Sequence, residues 1–183
     1  MSRSKKLIVT ALFLIGACIL LYPAVSNKLA ERHQAEMISR YEQTVEELPK
    51  TDMKSEWEKA VKYNESVTGM SVEDPFILGS GSVLPGNYKD VLNVEEKEGV
   101  MGYIEIPAID VMLPIYHGVS ERVLRRGVGH METTALPIGG KGTHSVLASH
   151  RGLSTAKLFT DLDRMKEGDL FISMYWIIFL LMR

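Results

Sequence analysis

The residues best suited to chemistry lie in His144-Ser-Val-Leu-Ala-Ser-His150-Arg-Gly152, where an apolar run delivers a histidine to its end beside a glycine turn. Histidine titrates near neutrality, so His150 is a candidate general acid and base. A surface or merely hydrogen-bonded histidine is the plainer reading of the same residue. His117, His130, His144 and His150 fall in one stretch, yet their spacings match neither H-E-x-x-H nor the common zinc patterns. With no cysteine beside them, neither a metal nor any other cofactor is expected. Ser145 and Ser149 are possible nucleophiles, but neither sits in a G-x-S-x-G elbow. The one cysteine, Cys18, lies inside an apolar run, which excludes an intramolecular disulfide and thiol chemistry in a soluble domain.

Positioning such a histidine requires strands. Residues 100–106 and 111–116 are short, β-branched or aromatic, and bounded by Gly or Pro, so they predict strands. A buried strand is expected over 144–148 and another over 169–172, with a short helix over 120–126 capped by Ser120 and a longer one over 155–166. The expected fold class is mostly β with helices. Residues 174–183 are almost wholly apolar, too short to cross a bilayer and too uniformly apolar for an edge strand.

The N-terminal third is of a different kind. Arg3, Lys5 and Lys6 precede an uncharged stretch from Leu7 to Val25, close to the roughly 20 residues that cross a bilayer. The positive-inside rule then places the N-terminus in the cytoplasm and the remainder outside. A cleaved signal peptide is the alternative, since Pro23-Ala24-Val25-Ser26 offers small residues, but the run exceeds the usual h-region of about 7 to 15 residues. Beyond it, Leu29, Met37, Tyr41, Val45 and Leu48 recur at helical spacing, Pro49 closes that helix, and Ser55 with Glu58 resembles a capping box opening a second. Residues 67–93 carry repeated Gly and Pro and predict a long loop. The resulting division is an anchor over 1–25, a helical stalk over 26–66, a loop over 67–98, a β domain over 99–172 and a tail over 173–183. With 45% hydrophobic and 24% charged residues the chain has an ordinary globular composition, and a net charge of −2 gives no reason to expect nucleic acid.

In order along the chain, Gly102-Tyr-Ile-Glu-Ile-Pro107, Leu113-Pro-Ile-Tyr-His-Gly118, Gly127-Val-Gly-His130, Leu136-Pro-Ile-Gly-Gly140 and Thr143-His-Ser-Val-Leu-Ala-Ser-His-Arg-Gly-Leu153 resemble the sortase family. Lys157-Leu-Phe-Thr-Asp-Leu162 and Lys166-Glu-Gly-Asp169 are similar to the segment that follows in class C, pilus-type sortases. The resemblance spans residues 1–171. It implies a sortase-type β-barrel, here partial, and a membrane-anchored cysteine transpeptidase of a Gram-positive surface. His150 matches the catalytic histidine, and Asp74-Pro75-Phe76 matches the class C lid motif, whose plainer reading is a type I turn. The implied partners are L-P-x-T-G sorting signals of pilin or surface proteins, a pilin lysine, and the membrane.

The pattern departs from the family after Phe171, where no T-L-x-T-C segment or downstream arginine motif follows. A small closed barrel also needs about eight strands, and only four are evident. The expectation is a sequence truncated or frameshifted there, inactive for want of the nucleophilic Cys and Arg. A membrane-tethered, non-catalytic binding protein is the alternative of a different class.

Overall fold

The computed structural model describes residues 2–68, 88–93 and 99–175, and the backbone of 178–182. Helix α1, Arg3–Glu47, runs for 45 residues without a break, passing through Pro23. Its first half exposes its apolar side chains, and it is long and apolar enough to cross a membrane. Its second half turns Met37, Ile38, Tyr41 and Val45 into the core. The expected boundary at residue 25 therefore falls inside one continuous helix, because no glycine and no competing cap interrupts the chain there. Helix α2, Lys50–Val67, starts directly after Pro49. The start expected at Ser55 is overridden because proline presets the backbone at the helix entrance, and Ser55 sits inside the helix. Ala60, Tyr63, Asn64 and Val67 form its buried face.

A single sheet follows. Its strands are β1 (Val100–Ile106), β2 (Val111–His117), β3 (Val128–His130), β4 (Leu147–Ala148), β5 (Phe171–Tyr175) and β6 (Ile178–Met182). They lie in the order β4-β3-β2-β1-β5-β6, so the sheet is open, with β4 and β6 at its edges. The β2–β3 pair is parallel and the others are antiparallel. Between β2 and β3 the short helix α3, Glu121–Leu124, makes the crossover.

Six strands replace the four expected. β3 escaped notice because a three-residue strand centred on Gly129 has no alternation to read. The apolar tail is a strand after all, since β5 pairs with β1 and then offers β6 its other edge, in the register Tyr175↔Ile178 to Phe171↔Met182. The strand expected over 144–148 shrinks to two residues, and that over 169–172 starts at Phe171. Over 155–166 no α-helix forms: Leu158 takes a left-handed φ of 42° and only Leu162–Arg164 make a 3₁₀ turn. The Thr160 hydroxyl donates to the Lys157 carbonyl and accepts from the Gly152 amide, so local side-chain bonds replace the helical ladder.

The helices are bolted to the sheet by polar contacts inside an apolar core. Tyr41 donates its hydroxyl proton to the Met101 carbonyl at 3.1 Å, and Gln34 Nε2 donates to the Arg126 carbonyl at 3.2 Å. Buried Asn64 donates to the Leu136 carbonyl at 3.0 Å and accepts the Leu136 amide at 2.7 Å, fixing α2 to the loop after β3. Within the 67–98 stretch, Tyr88–Asp90 form a 3₁₀ turn, and Tyr88, Val91 and Leu92 are buried.

Close approach is tightest at glycine. A Cβ on Gly102 would lie 2.5 Å from the Met174 carbonyl oxygen and 2.7 Å from the Tyr175 ring, whereas one on Gly142 would meet nothing within 4 Å. Gly102→Ala is therefore expected to cost about 1 to 3 kcal/mol by forcing β1 and β5 apart. Gly142→Ala carries only the strain of its φ of 78°, on the order of 1 kcal/mol. Urea unfolding of the detergent-solubilised chain measures both, and equal losses would show that the β1–β5 contact is not tight.

Candidate active site

Strand β4 is only two residues long, but its pairing with β3 (Gly129↔Ala148, His130↔Leu147) fixes where the chain emerges. Ser149 then donates its hydroxyl proton to the Gly127 carbonyl at 2.6 Å, holding the exit against the start of β3. The next residue is His150, half-buried, and Gly152 turns the chain away with φ 79°. The His150 carbonyl accepts the Phe159 amide at 3.2 Å, so the backbone is gripped on both sides of the ring.

The imidazole faces Glu121 at the start of α3, with Nε2 3.2 Å from the carboxylate Oε2. Glu121 also accepts Arg125 Nε at 2.6 Å, one turn along the same helix. The Arg125 hydrogen bond, followed by the neighbouring His150, holds the Glu121 carboxyl below its usual range. The carboxylate is thus held as an anion, placed to accept a hydrogen bond from Nε2 and orient the ring. A hollow of about 280 Å³ is lined by Ile104, Ile106, Leu147, Phe159, Met165 and Phe171 among others, and His150 and Glu121 are not part of its lining.

The other histidines go elsewhere. His117 and His130 are register partners on β2 and β3, and both rings pack against Tyr88, with centroids 5.1 and 5.7 Å away. His130 is fully buried, and its Nε2 lies 2.9 Å from the Ala135 carbonyl, which requires the proton on that nitrogen. Nδ1 is then the acceptor, 3.0 Å from the Tyr88 hydroxyl, which in turn accepts the Gly118 amide at 3.0 Å. Burial pushes the His130 pKa down to about 4 and lowers that of His117 as well. His144 lies on the surface, its carbonyl accepting the Ala135 amide. Ser149 spends its proton on Gly127, and Ser145 is a buried hydroxyl without a partner. Cys18 sits exposed on the apolar half of α1. Among the described residues no group of three or more His, Cys, Asp or Glu side chains could hold a metal. Asp74-Pro75-Phe76 lie outside the described residues.

Residues 104–175 match the family model described as the sortase domain. The fold superimposes on sortase C1 from Streptococcus agalactiae with a TM-score of 0.70 at 35% identity, covering 80% of this chain and 73% of that one. The chain belongs to the sortase family, class C. Sortase C from Streptococcus pneumoniae, described with pilin substrate specificity, is similar at 37% identity and a TM-score of 0.68, over 80% of this chain and 71% of that one. Sortase A of Listeria monocytogenes is 28% identical over 167 residues, covering 90% of this chain. The chain spans 65% of the length of that relative.

Glu121 was not legible as part of this candidate site. In the sequence it is only the first residue of a short helix, and its contact with His150 bridges 29 positions. Tyr88 was equally hidden, in a stretch whose glycines and prolines spoke only of a loop.

The buried histidines predict a pH dependence with a definite sign. His130 is neutral when folded down to about pH 4, while in the unfolded chain it takes a proton near 6.5. Its stabilising contribution is thus complete above about pH 6.5 and is lost as the pH falls towards 4, an effect of about 3 kcal/mol for the whole window. The lowered pKa of His117 acts in the same direction. Urea midpoints at pH 7 and pH 5 should fall on acidification, and less steeply for His130→Gln. A parallel decline in the variant would show that other groups carry the pH dependence.

Proposed function

We propose that this chain carries the general acid/base half of a pilus-type transpeptidase, with His150 as the proton-transfer residue and Glu121 orienting it. The observation behind this is the half-buried imidazole at the end of β4, gripped through its backbone and paired with an anion, in a chain of the sortase family. It contrasts with His130, whose two ring nitrogens are both committed in the core.

In the proposed reaction a cysteine thiolate attacks the Thr–Gly carbonyl of an L-P-x-T-G-type sorting signal. The negative charge that develops on the carbonyl oxygen is stabilised by an arginine. The imidazolium of His150 gives its proton to the departing glycine amine, the C–N bond breaks, and a thioester remains. A pilin lysine amine then attacks the thioester, His150 takes the proton it sheds, and the thiolate is released as an isopeptide bond forms. The nucleophile of this scheme is not Cys18, which lies on the apolar half of α1 while the reacting group must stand beside β4. A polypeptide consisting of residues 1–183 is accordingly proposed to be inactive by itself. Asp74, Pro75 and Phe76 are proposed to form a lid that must move before a sorting signal enters.

α1 is proposed to be an uncleaved single-pass anchor with the sheet outside the cell. Arg3, Lys5 and Lys6 mark the inner side, and the unbroken helix through Pro23-Ala24-Val25-Ser26 presents no extended backbone to a signal peptidase.

Two measurements test these statements. Protease added to intact wall-less cells should digest the region around His150, and protection of that region would reverse the topology. Residues 1–183 incubated with a sorting-signal peptide should give no cleavage and no covalent adduct. The chain joined at Phe171 to the carboxy-terminal part of a streptococcal sortase C1 should form the adduct and cleave. His150→Ala should reduce that cleavage by a factor of about 10² to 10⁴, the usual contribution of general acid–base catalysis. Asp74→Ala should raise it. Cleavage by the unmodified chain, abolished by His150→Ala, would point to a different nucleophile, with Ser149 the nearest.

A further inference from the structure

Apart from α1, the described residues expose only two large hydrophobic side chains, Met112 at 50% and Leu162 at 42%. Scattered apolar residues on a surface need no explanation by themselves. Their placement does. Asn27 stands two residues past the last apolar residue of the proposed span, about 3 Å further along the helix axis. Its side-chain oxygen accepts the Lys157 amide at 2.6 Å, so the loop after β4 touches α1 at the point where the helix leaves the bilayer. Lys157 Nζ donates to the Ile109 carbonyl at 2.9 Å, bringing the β1–β2 turn to the same level. Met112 is the second residue of β2 after that turn and lines a hollow together with Glu31 and Lys157. Leu162 follows Asp161, which pairs with Lys157 at 3.4 Å, and lines the same hollow as Ile106 at the end of β1. The two exposed side chains therefore flank the one turn that the helix brings down to the membrane surface.

We propose that this end of the domain, the β1–β2 turn with Met112 and the loop carrying Leu162, rests in the headgroup layer of the bilayer as a second, peripheral membrane contact. The proposal rests on the reading of α1 as an anchor and adds to it the orientation of the sheet. Residues 151–169 carry four basic and four acidic side chains, so the loop has no net charge and takes a zwitterionic phospholipid as readily as an anionic one. Because α1 continues unbroken into the core through Met37, Ile38 and Tyr41, the sheet cannot swing freely above such a seat.

The full chain with Cys18→Ala, reconstituted in phosphatidylcholine nanodiscs, tests this with single cysteines bearing an environment-sensitive fluorophore. The positions are Leu20→Cys within the span, Met112→Cys, Leu162→Cys and Glu46→Cys, the last about 29 Å beyond Asn27 along α1. The expected result is quenching of the Leu20, Met112 and Leu162 labels by brominated lipid. Iodide should quench the Met112 and Leu162 labels about threefold less than the Glu46 label, and quenching by brominated lipid should be the same when phosphatidylglycerol replaces phosphatidylcholine. A quenched Leu20 label with either Met112 or Leu162 as open to iodide as Glu46 overturns the seat and leaves the anchor standing. Shielding from iodide without quenching by brominated lipid also overturns it, because a second copy of the chain is then the cover. A Leu20 label open to iodide removes the anchor and the proposal together.

Discussion

Strand β3 can lie against β2 only because two of its neighbourhood residues have no side chain. A Cβ on Gly129 would come within 2.4 Å of the Gly118 carbonyl oxygen, and one on Gly127 within 2.6 Å of that of Pro114. Both obstacles are backbone, which cannot rotate away as the end of a long side chain would. The parallel β2–β3 pair is the seam at which the chain crosses over through α3, and β4 is held to the sheet through β3 alone. The position of His150, two residues past β4, and that of Glu121, at the start of the crossover helix, are thus both set by the same close approach. The carboxylate and the imidazole meet because one constraint places both.

The same seam separates histidines by task. At its buried end His130 sits in a closed circuit with Tyr88, Gly118 and Ala135, and burial keeps it neutral. A histidine so committed is a structural hydrogen-bonding group: protonating it would place a charge where no water reaches. Three residues along the neighbouring strand, His150 emerges where solvent reaches the ring and its single side-chain partner is an exposed carboxylate. A solvent-exposed contact of that kind contributes little to folding. In the proposed reaction it serves instead to aim the ring.

How much of this could be read from the sequence depended on the range of the interactions involved. The paired strands β1 and β2 announce themselves by β-branched and aromatic residues between Pro and Gly, and they form where those residues lie. The histidine at the end of an apolar run was visible for the same local reason. What escaped was non-local or too short for a period. β3 has three residues, Tyr88 acts through rings 29 and 42 positions away, and Glu121 acts across the seam. The apolar tail was misjudged because its fitness as a strand depends on β5 being available beside it. The missing helix over 155–166 is a contest that composition cannot settle, since Leu158 takes a left-handed φ of 42° that no α-helix contains while Thr160 bonds the Lys157 carbonyl and the Gly152 amide.

If α1 is the anchor proposed above, its continuity couples these local arrangements to the bilayer. A flexible linker after the span would let the domain sample many orientations, and the loop after β4 would have no fixed relation to the membrane. Here the helix that carries the apolar first half also supplies Tyr41 to the Met101 carbonyl, Gln34 to that of Arg126 and Asn27 to the Lys157 amide. These contacts are spread over four turns of one rigid element, so they fix rotation about the helix axis as well as height. Arg126 directly precedes the Gly127 seam, and Lys157 lies two residues from the amide that grips the His150 carbonyl. The imidazole is therefore tied to α1 from both sides, so its position relative to the proposed span is a property of the helix.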